Sequence, residues 1–565
     1  MRYLALAADY DGTLAFNGLV DGATLDALLR FSESGRKLLL VTGRQLDDLK
    51  SVFPHLDVFS RVVAENGALL YDPGRKSEKL LAERPSEAFI AELRKRGVPV
   101  SCGKVIVATW QPHESTVLKV IRDLGLELQV IFNKGAVMVL PSGVNKGTGL
   151  KCALSELALS VHNCIGIGDA ENDHAFLALC ECSAAVANAL ESLKQRADIV
   201  TRNPRGAGVA ELITQVLADD LRSFEPKLAR HKIPLGRDEQ GTEVGISPYG
   251  RSILIAGPSG SGKSSVLTGI LERLVAADYQ FCLIDPEGDF DDLEGTVNVG
   301  DAQHQPVMRE VLALVDKFQN PVVNLLGVPL QDRPAFFNSL LPQLLERRGR
   351  TGRPHWLIID EAHHLLPESF QPAPVSVPQL HSTIYVTVHP EHMSRAALRS
   401  IDVALAVGRD PYTTIQSFAG RAEVRAAASG RGVILEKSQA LAWFRGRDGL
   451  MILDVEPSKG ERRRHRRKYA EGDIQEKSFY FRGPDGKLNL RAQNLAIFVQ
   501  MAEGVDDGTW LHHLQQHDYS GWIREAIKDK QLAAEVEQIE NHDQNPASSR
   551  ERIIAAIERQ YTSAA

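Results

Sequence analysis

Short apolar runs recur along the chain at 4–8, 37–42, 164–168, 253–256, 281–284, 356–359 and 383–388, with amphipathic stretches between them. Runs this short, alternating with helical patterns, read as buried strands of parallel α/β sheets rather than as sandwich or bundle elements. They fall into two series, separated by a polar passage rich in turn-forming residues at 222–251. A chain of 565 residues is also too long for one hydrophobic core, and its length suggests about three or four domains.

Hydrophobic residues make up 43% and charged residues 24%, so neither a disordered nor a fibrous chain is expected. No apolar run approaches the roughly 20 residues that cross a bilayer, and the first residues lack a basic leader and cleavage site. The expectation is a soluble, cytoplasmic protein with no membrane partner. The six cysteines are scattered without C-x-x-C spacing, which argues against a disulfide framework or structural zinc. A formal charge of -7 argues against a surface devoted to nucleic acid. The exception, R-R-R-H-R-R-K at 462–468, has no wider basic face or stacking aromatics around it, so a solvated linker is favoured over a nucleic-acid contact.

The expected fold class is α/β throughout most of the chain. A Rossmann-like core at 1–85 and 141–221 would carry a small α+β cap at 86–140, read as helix, two strands, helix, two strands, with helices at 88–96 and 114–124. The core would close on a helix at 208–221. A linker at 222–250 would lead to a second α/β domain at 251–457, ending in strands at 432–435, 440–444 and 450–453. A basic linker at 458–476 and a small helical domain at 477–565 would follow, with helices at 488–501, 522–540 and 549–561.

Cleaving a phosphate ester calls for a carboxylate nucleophile beside a second acid, with a divalent ion and fixed positive groups on the phosphoryl oxygens. D-Y-D-G-T puts Asp9 and Asp11 at the end of the first apolar run, at the sheet edge where α/β enzymes bind ligands. The next run ends in Thr42-Gly43-Arg44, offering a hydroxyl and amides to an anion. Lys146 lies in V-N-K-G-T-G, and G-D-A-E-N-D places Asp169 and Asp173 at another strand end. Clustered carboxylates of this kind suit magnesium.

Each fragment alone is an ordinary turn, but their order and strand-to-loop context are specific. Together they resemble the four motifs of the haloacid dehalogenase superfamily, over residues 1–221. The insertion between the second and third motifs is similar to the C2-capped branch of Cof-type, sucrose-phosphatase-like and archaeal phosphoglycolate-phosphatase-like enzymes. The resemblance implies Asp9 as nucleophile, Asp11 as general acid and base, and Thr42, Gly43, Lys146 and Asn172 around the phosphate. It implies a magnesium ion held by Asp9, the backbone carbonyl of Asp11 and Asp169, with Asp173 in or beside the set. The substrate class would be a small sugar or organic phosphate. Asn133, Lys134 and the polar residues from Trp110 to His113 are the cap's candidates for recognising it.

In the second series, the strand at 253–256 runs into G-P-S-G-S-G-K-S and then a helical stretch, the Walker A pattern in its required context. Gly257, Pro258, Ser259, Gly260, Ser261, Gly262, Lys263, Ser264 and Ser265 would wrap the phosphates of ATP, with Lys263 on the β and γ oxygens and Ser264 on magnesium. W-L-I-I-D-E then supplies Asp360 for the metal and Glu361 to polarise water. D-P-E-G-D-F at 285–290 and D-E-A-H-H-L-L at 360–366 resemble the HerA/FtsK group of RecA-like ATPases. That group implies a ring, often a hexamer, and an arginine lent across the subunit interface, for which Arg395, Arg399 and Arg409 are equal candidates. His389 stands where the group often has glutamine.

His512, His513, His517, Asp518, Trp510 and Trp522 in the tail lack ligand spacing and read as packed or capping groups. The leading expectation is a magnesium-dependent phosphatase fused to an ATP-binding and ATP-hydrolysing module that regulates or assembles it. A DNA-translocating motor with an accessory phosphatase, and a non-catalytic ATP sensor, are the alternatives.

Overall fold

In the computed structural model, residues 2–559 are described except 134, 228–230, 292, 369–380, 426–431, 437, 457, 459–477, 485, 487 and 528. The basic run at 462–468 and Lys134 lie outside the described residues. None of the described helices is long and apolar enough to cross a membrane.

The first sheet has eight strands, ordered Ile199–Val200, Cys182–Ala185, Cys164–Gly168, Ala5–Ala8, Lys37–Val41, Arg61–Ala64, Leu69–Asp72 and Ser77–Leu80. The first six are parallel and the last two turn back antiparallel. Helices cover this sheet because their apolar residues recur at helical spacing. In Gly22–Glu33 the buried residues are Thr24, Ala27, Leu28 and Phe31, and the Asp21 side chain caps the first turn through the Thr24 amide at 2.7 Å. The helix ending this series is Arg205–Asp219. The insertion folds as a separate four-stranded antiparallel sheet with helices Glu87–Lys95 and Glu114–Asp123 on it, in the helix and strand order read from the sequence.

The second sheet has eleven strands. Seven of them form its parallel part: Val403–Ala406, Ile253–Ala256, Thr383–Thr387, Trp356–Ile359, Phe281–Asp285, Asn320–Asn324 and Thr296–Val299. Antiparallel strands Gln439–Phe444, Met451–Val455, Ile233–Asp238 and Glu243–Ile246 extend its other edge.

Three expectations need correction. The passage read as a linker at 222–250 contains the hairpin Ile233–Asp238 and Glu243–Ile246, which belongs to the second sheet. Ile233, Leu235, Val244 and Ile246 are buried, and Asp238 accepts the turn amides of Gln240 and Thr242, so an alternating pattern was hidden by its polar turn. Residues 432–435 are not a strand: both edges of Gln439–Phe444 are already paired, and Ile434 is 89% exposed. In the tail, the helix expected at 488–501 begins only at Leu495, where Asn494 caps the Ile497 amide at 2.8 Å. Leu490–Ala492 instead pairs with Phe479–Phe481.

The tail packs its aromatics inward, as expected. Trp510 is buried with its indole N–H donating to Ser549 Oγ at 3.1 Å; Tyr519 stacks on it, Phe479 and Phe498 pack on Tyr519, and Trp522 stacks on Phe498.

The two sheets meet through the loops that enter their strands. Glu181 is buried and accepts hydrogen bonds from Arg2 Nη2 at 3.0 Å and from the Tyr279 hydroxyl at 2.9 Å, with His162 Nδ1 2.8 Å away. The other nitrogen of His162 faces the Ala277 carbonyl at 2.8 Å, and its ring stacks on Tyr279 with centroids 3.8 Å apart. The Tyr249 hydroxyl donates to the His162 carbonyl at 2.8 Å. Burial pushes the Glu181 carboxyl up, but the hydrogen bond and charge of His162, with Arg2, outweigh it and leave it below the usual carboxylate range. Glu181→Ala strips a buried partner from Arg2 and His162, and should cost about 3 kcal/mol of stability. A thermal or urea unfolding midpoint equal to that of the parent chain would refute this reading of the junction.

Candidate active sites

Asp9 follows the strand Ala5–Ala8, and its amide donates to the Ile167 carbonyl of the neighbouring strand at 3.0 Å. Asp169 follows that neighbour, Cys164–Gly168. Parallel pairing therefore brings two carboxylates 160 positions apart in sequence to one sheet edge. Lys146 opens the helix Lys146–Glu156, whose Asn145 cap bonds the Gly147 and Thr148 amides. Its ammonium is buried and contacts Asp9 Oδ1 and, at 2.6 Å, Asp173 Oδ1. Gly67, at φ +105, permits this approach: a Cβ there would lie 1.9 Å from the Asn145 carbonyl oxygen.

Asp173 Oδ2 accepts the Asp169 and Ala170 amides at 2.8 and 2.9 Å, so this acid holds both the lysine and the loop. Asp169 accepts from Thr13 Oγ1 at 3.2 Å. Thr42 is buried beside them, with its Oγ1 accepting from the Arg44 amide at 3.1 Å. Gly43 lies between Asn172 and Met138 of the cap: a Cβ on it would be 3.5 Å from Asn172 Nδ2 and 3.6 Å from the Met138 sulfur. Asn172 donates to Asn66 Oδ1 at 3.0 Å. Asp11 is directed elsewhere, into a two-point ion pair with Arg44 at 2.6 and 2.8 Å. Asn133 ends a cap strand, Leu128–Asn133, that packs against the turn Glu171–Asp173, and its Oδ1 is buried without a hydrogen-bond partner among the described residues. Trp110 is 53% exposed at the cap surface.

Two contributions escaped the sequence reading. Arg44 was visible beside Thr42, but its pairing with Asp11 depends on how two strand ends meet. Glu65 is buried and its carboxylate accepts the cap amides of Lys104, Val105 and Ile106 at 2.7–2.9 Å, clamping cap to core. A-E-N-G after the strand Arg61–Ala64 was the available signal, since an acid at a strand end marks a potential amide acceptor.

Burial pushes the Asp9 carboxyl up, the Asp173 charge adds to this and Lys146 opposes both, leaving it at about 7. Burial would lower the Lys146 ammonium, but Asp173 and Asp9 together hold it above the usual lysine range.

At the second sheet, Ile253–Ala256 leads into the Walker A loop, where Gly257, Gly260 and Gly262 adopt positive φ before the helix Lys263–Ala276. Lys263 folds back to donate to the Pro258 carbonyl at 3.2 Å. Burial lowers its ammonium, while Glu361, Asp360, Glu287 and Asp289 around it act in the opposite sense. Asp360 is buried at the end of Trp356–Ile359, and burial together with Asp285 and Glu361 raises its carboxyl well above the usual range. Glu361, at φ 41, has Oε2 3.4 Å from His363 Nδ1, and that nitrogen is 3.1 Å from Thr387 Oγ1. Asp285 organises its own loop by accepting the Glu287, Gly288 and Phe290 amides. Arg395 and Arg399 both pair with Glu423, whereas Arg409 lines a cleft with Ser261 of the Walker A loop.

A profile for haloacid dehalogenase-like hydrolases matches residues 6–104 and 129–213, and one for an AAA domain matches 248–379. The phosphoglycolate phosphatase 2 of Saccharolobus solfataricus is 31% identical over 221 residues, which span 38% of this chain and 93% of that protein. The phosphoglycolate phosphatase of Pyrobaculum islandicum is 28% identical over 226 residues, 39% of this chain and 98% of that one. The crystal structure of a haloacid dehalogenase-like hydrolase from Bacteroides thetaiotaomicron is 18% identical and covers 38% of this chain and 99% of its own, with a TM-score of 0.34.

The elevated Asp9 carboxyl predicts a stability signature. The folded state binds this proton more tightly than the unfolded chain, so between its ordinary 3.8 and about 7 the contribution of Asp9 to stability falls as pH rises. In chelator, the thermal midpoint of Asp9→Asn relative to the parent should therefore rise on going from pH 4 to pH 7. An equal difference at both pH values would rule this out.

The chain belongs to the haloacid dehalogenase-like hydrolases, with an AAA-type P-loop domain fused to the hydrolase part.

Proposed function

We propose that the N-terminal site is a magnesium-dependent phosphatase for a small organic phosphate monoester, and that the P-loop domain binds and hydrolyses ATP. The observation that carries the first half is the buried lysine between two acids at the edge that also holds Asp169. Asp9, Asp169 and Asp173 each offer a carboxylate oxygen within 4.8 Å of the others, a hard oxygen set that fits magnesium. Because both oxygens of Asp173 already have protein partners, Asp9 and Asp169 are the principal side-chain ligands in this reading. Magnesium would supply charge neutralisation on the phosphoryl oxygens.

The residues divide the work in two steps. An Asp9 carboxylate oxygen attacks phosphorus as the ester oxygen leaves, and Asp11 gives that oxygen its proton. Asp11 then takes a proton from water as the water attacks the aspartyl phosphate, freeing Asp9 and inorganic phosphate. Lys146 and the Thr42 hydroxyl hold the phosphoryl oxygens, with the Gly43 amide. The pair that holds Asp11 to Arg44 is partly exposed, so swinging the acid to the substrate costs less than breaking a buried pair would. Asn133 of the cap is the candidate contact to the leaving group. The names of the relatives put phosphoglycolate first among substrates to try.

In the second half, Lys263 and the Walker A amides would cradle the phosphates, Ser264 and Asp360 would hold magnesium, and Glu361 would orient the attacking water. Asp360 and Glu361 lie beside Lys263, as that role needs. Regulation of one site by the other would run through the junction at Glu181, because Cys164–Gly168 starts there and ends at Asp169.

Asp9→Asn should lower magnesium-dependent phosphate release by at least about a thousandfold while ATP binding persists; retained turnover would sink the assignment of the nucleophile. Glu361→Gln should still bind ATP but lose hydrolysis, and normal hydrolysis would remove that role. A substrate panel headed by phosphoglycolate, run with and without ATP, tests the regulated-phosphatase reading. ATP hydrolysis stimulated by DNA and lost in Lys263→Ala would instead favour a motor of the HerA type.

A further inference from the structure

Two imidazoles and a carboxylate meet at a strand end between the two halves of the nucleotide site. The strand Thr383–Thr387 lies between the Walker A strand Ile253–Ala256 and the Asp360 strand Trp356–Ile359, and the chain leaves it as His389-Pro390-Glu391-His392. Pro390–His392 forms a 3₁₀ turn, in which residues three apart eclipse. His389 and His392 consequently project on one side, their rings stacked with centroids 5.0 Å apart. Glu391 Oε1 is 3.0 Å from His389 Nδ1, and its other oxygen accepts from Ser417 Oγ at 3.3 Å, which turns the carboxylate toward the rings. One donor atom from each of the three side chains lies within 4.8 Å of the others.

We propose that His389, Glu391 and His392 bind a divalent transition-metal ion of the zinc type, with water completing the coordination. Two imidazole nitrogens and one carboxylate are a borderline donor set, matched to zinc or cobalt rather than magnesium. The Asp9, Asp169 and Asp173 group, by contrast, is all oxygen. Metal–nitrogen bonds of about 2.0–2.1 Å need donors closer together than 4.8 Å, and rotation of these exposed side chains supplies the difference.

The ordinary alternative is three solvated side chains sharing a hydrogen bond. Against it stands the geometry: Ser417 turns the Glu391 carboxylate toward two rings that share one side of the turn, so all three donors face a common point. The location gives such an ion a consequence. His389 packs against His363 at 5.5 Å between ring centroids, and His363 contacts Glu361, so two side chains, His389 and His363, would link the ion to that acid.

Cobalt(II) is the probe, because four- or five-coordinate nitrogen–oxygen sites absorb visible light far more strongly than six-coordinate oxygen sites. The full-length chain should carry Asp169→Asn, to weaken the oxygen site at the first sheet. Titration should give one equivalent of the intense band, displaced by zinc and not by excess magnesium. Adding His389→Ala and His392→Ala should abolish the band or weaken binding at least about tenfold, while ATP binding reports that the domain remains folded. Absence of a stoichiometric band in the parent, or its persistence at equal affinity in the folded double variant, would overturn the proposal.

Discussion

The buried carboxylate of Glu181 is the pin on which the arrangement of this molecule turns. It gathers Arg2 and His162 from the first sheet and Tyr279 from the second into one hydrogen-bonded knot. A charge taken out of water is tolerable only when paired and fully hydrogen-bonded, so the knot is highly sensitive to the relative position of the two sheets. Arg2 precedes Ala5–Ala8, His162 precedes Cys164–Gly168, and Tyr279 precedes Phe281–Asp285. The sheets thus meet at the entering ends of their strands, while the candidate sites lie at departing ends.

Both sites solve the same electrostatic problem. A phosphate needs concentrated positive charge, and a metal needs concentrated negative charge a few ångströms away. At the first sheet, Lys146 lies between Asp9 and Asp173, so each charge offsets the desolvation of the other. At the second, Lys263 is surrounded by Asp360, Glu361, Glu287 and Asp289, and rests on a backbone carbonyl. The carboxyls of Asp9, Asp285 and Asp360 are all raised, chiefly by burial. Glu65 performs the mechanical counterpart, using one buried acid to tie three cap amides to the core.

The strand-forming runs and the residues ending them were legible because both signals are local. An apolar run of four or five residues followed by Asp-x-Asp-Gly or Gly-Asp states its own structure and chemistry, and the six-part insertion follows from ordinary periodicity. What was misread was equally physical. The hairpin at 233–246 looked like a linker because its turn is polar and each strand buries only alternate residues. Residues 432–435 looked like a strand, but both edges of their would-be partner were taken. Asn494 ended one helical pattern and began another, and the residues before it paired as a strand.

The sequence alone determined which candidate residues end the strands, since the identity and order of Asp9, Asp11, Thr42, Lys146 and Asp169, and of the Walker A residues, are properties of the chain and of parallel strands ending at one edge. Only the tertiary structure decided the partners: Arg44 on Asp11, Glu65 on the cap, Glu181 between the sheets, and His389 beside His363 and Glu361. The reason is sequence separation. A strand or a loop is specified by neighbours a few positions away, whereas a buried charge chooses among residues brought to it from anywhere in the chain by the packing of the whole.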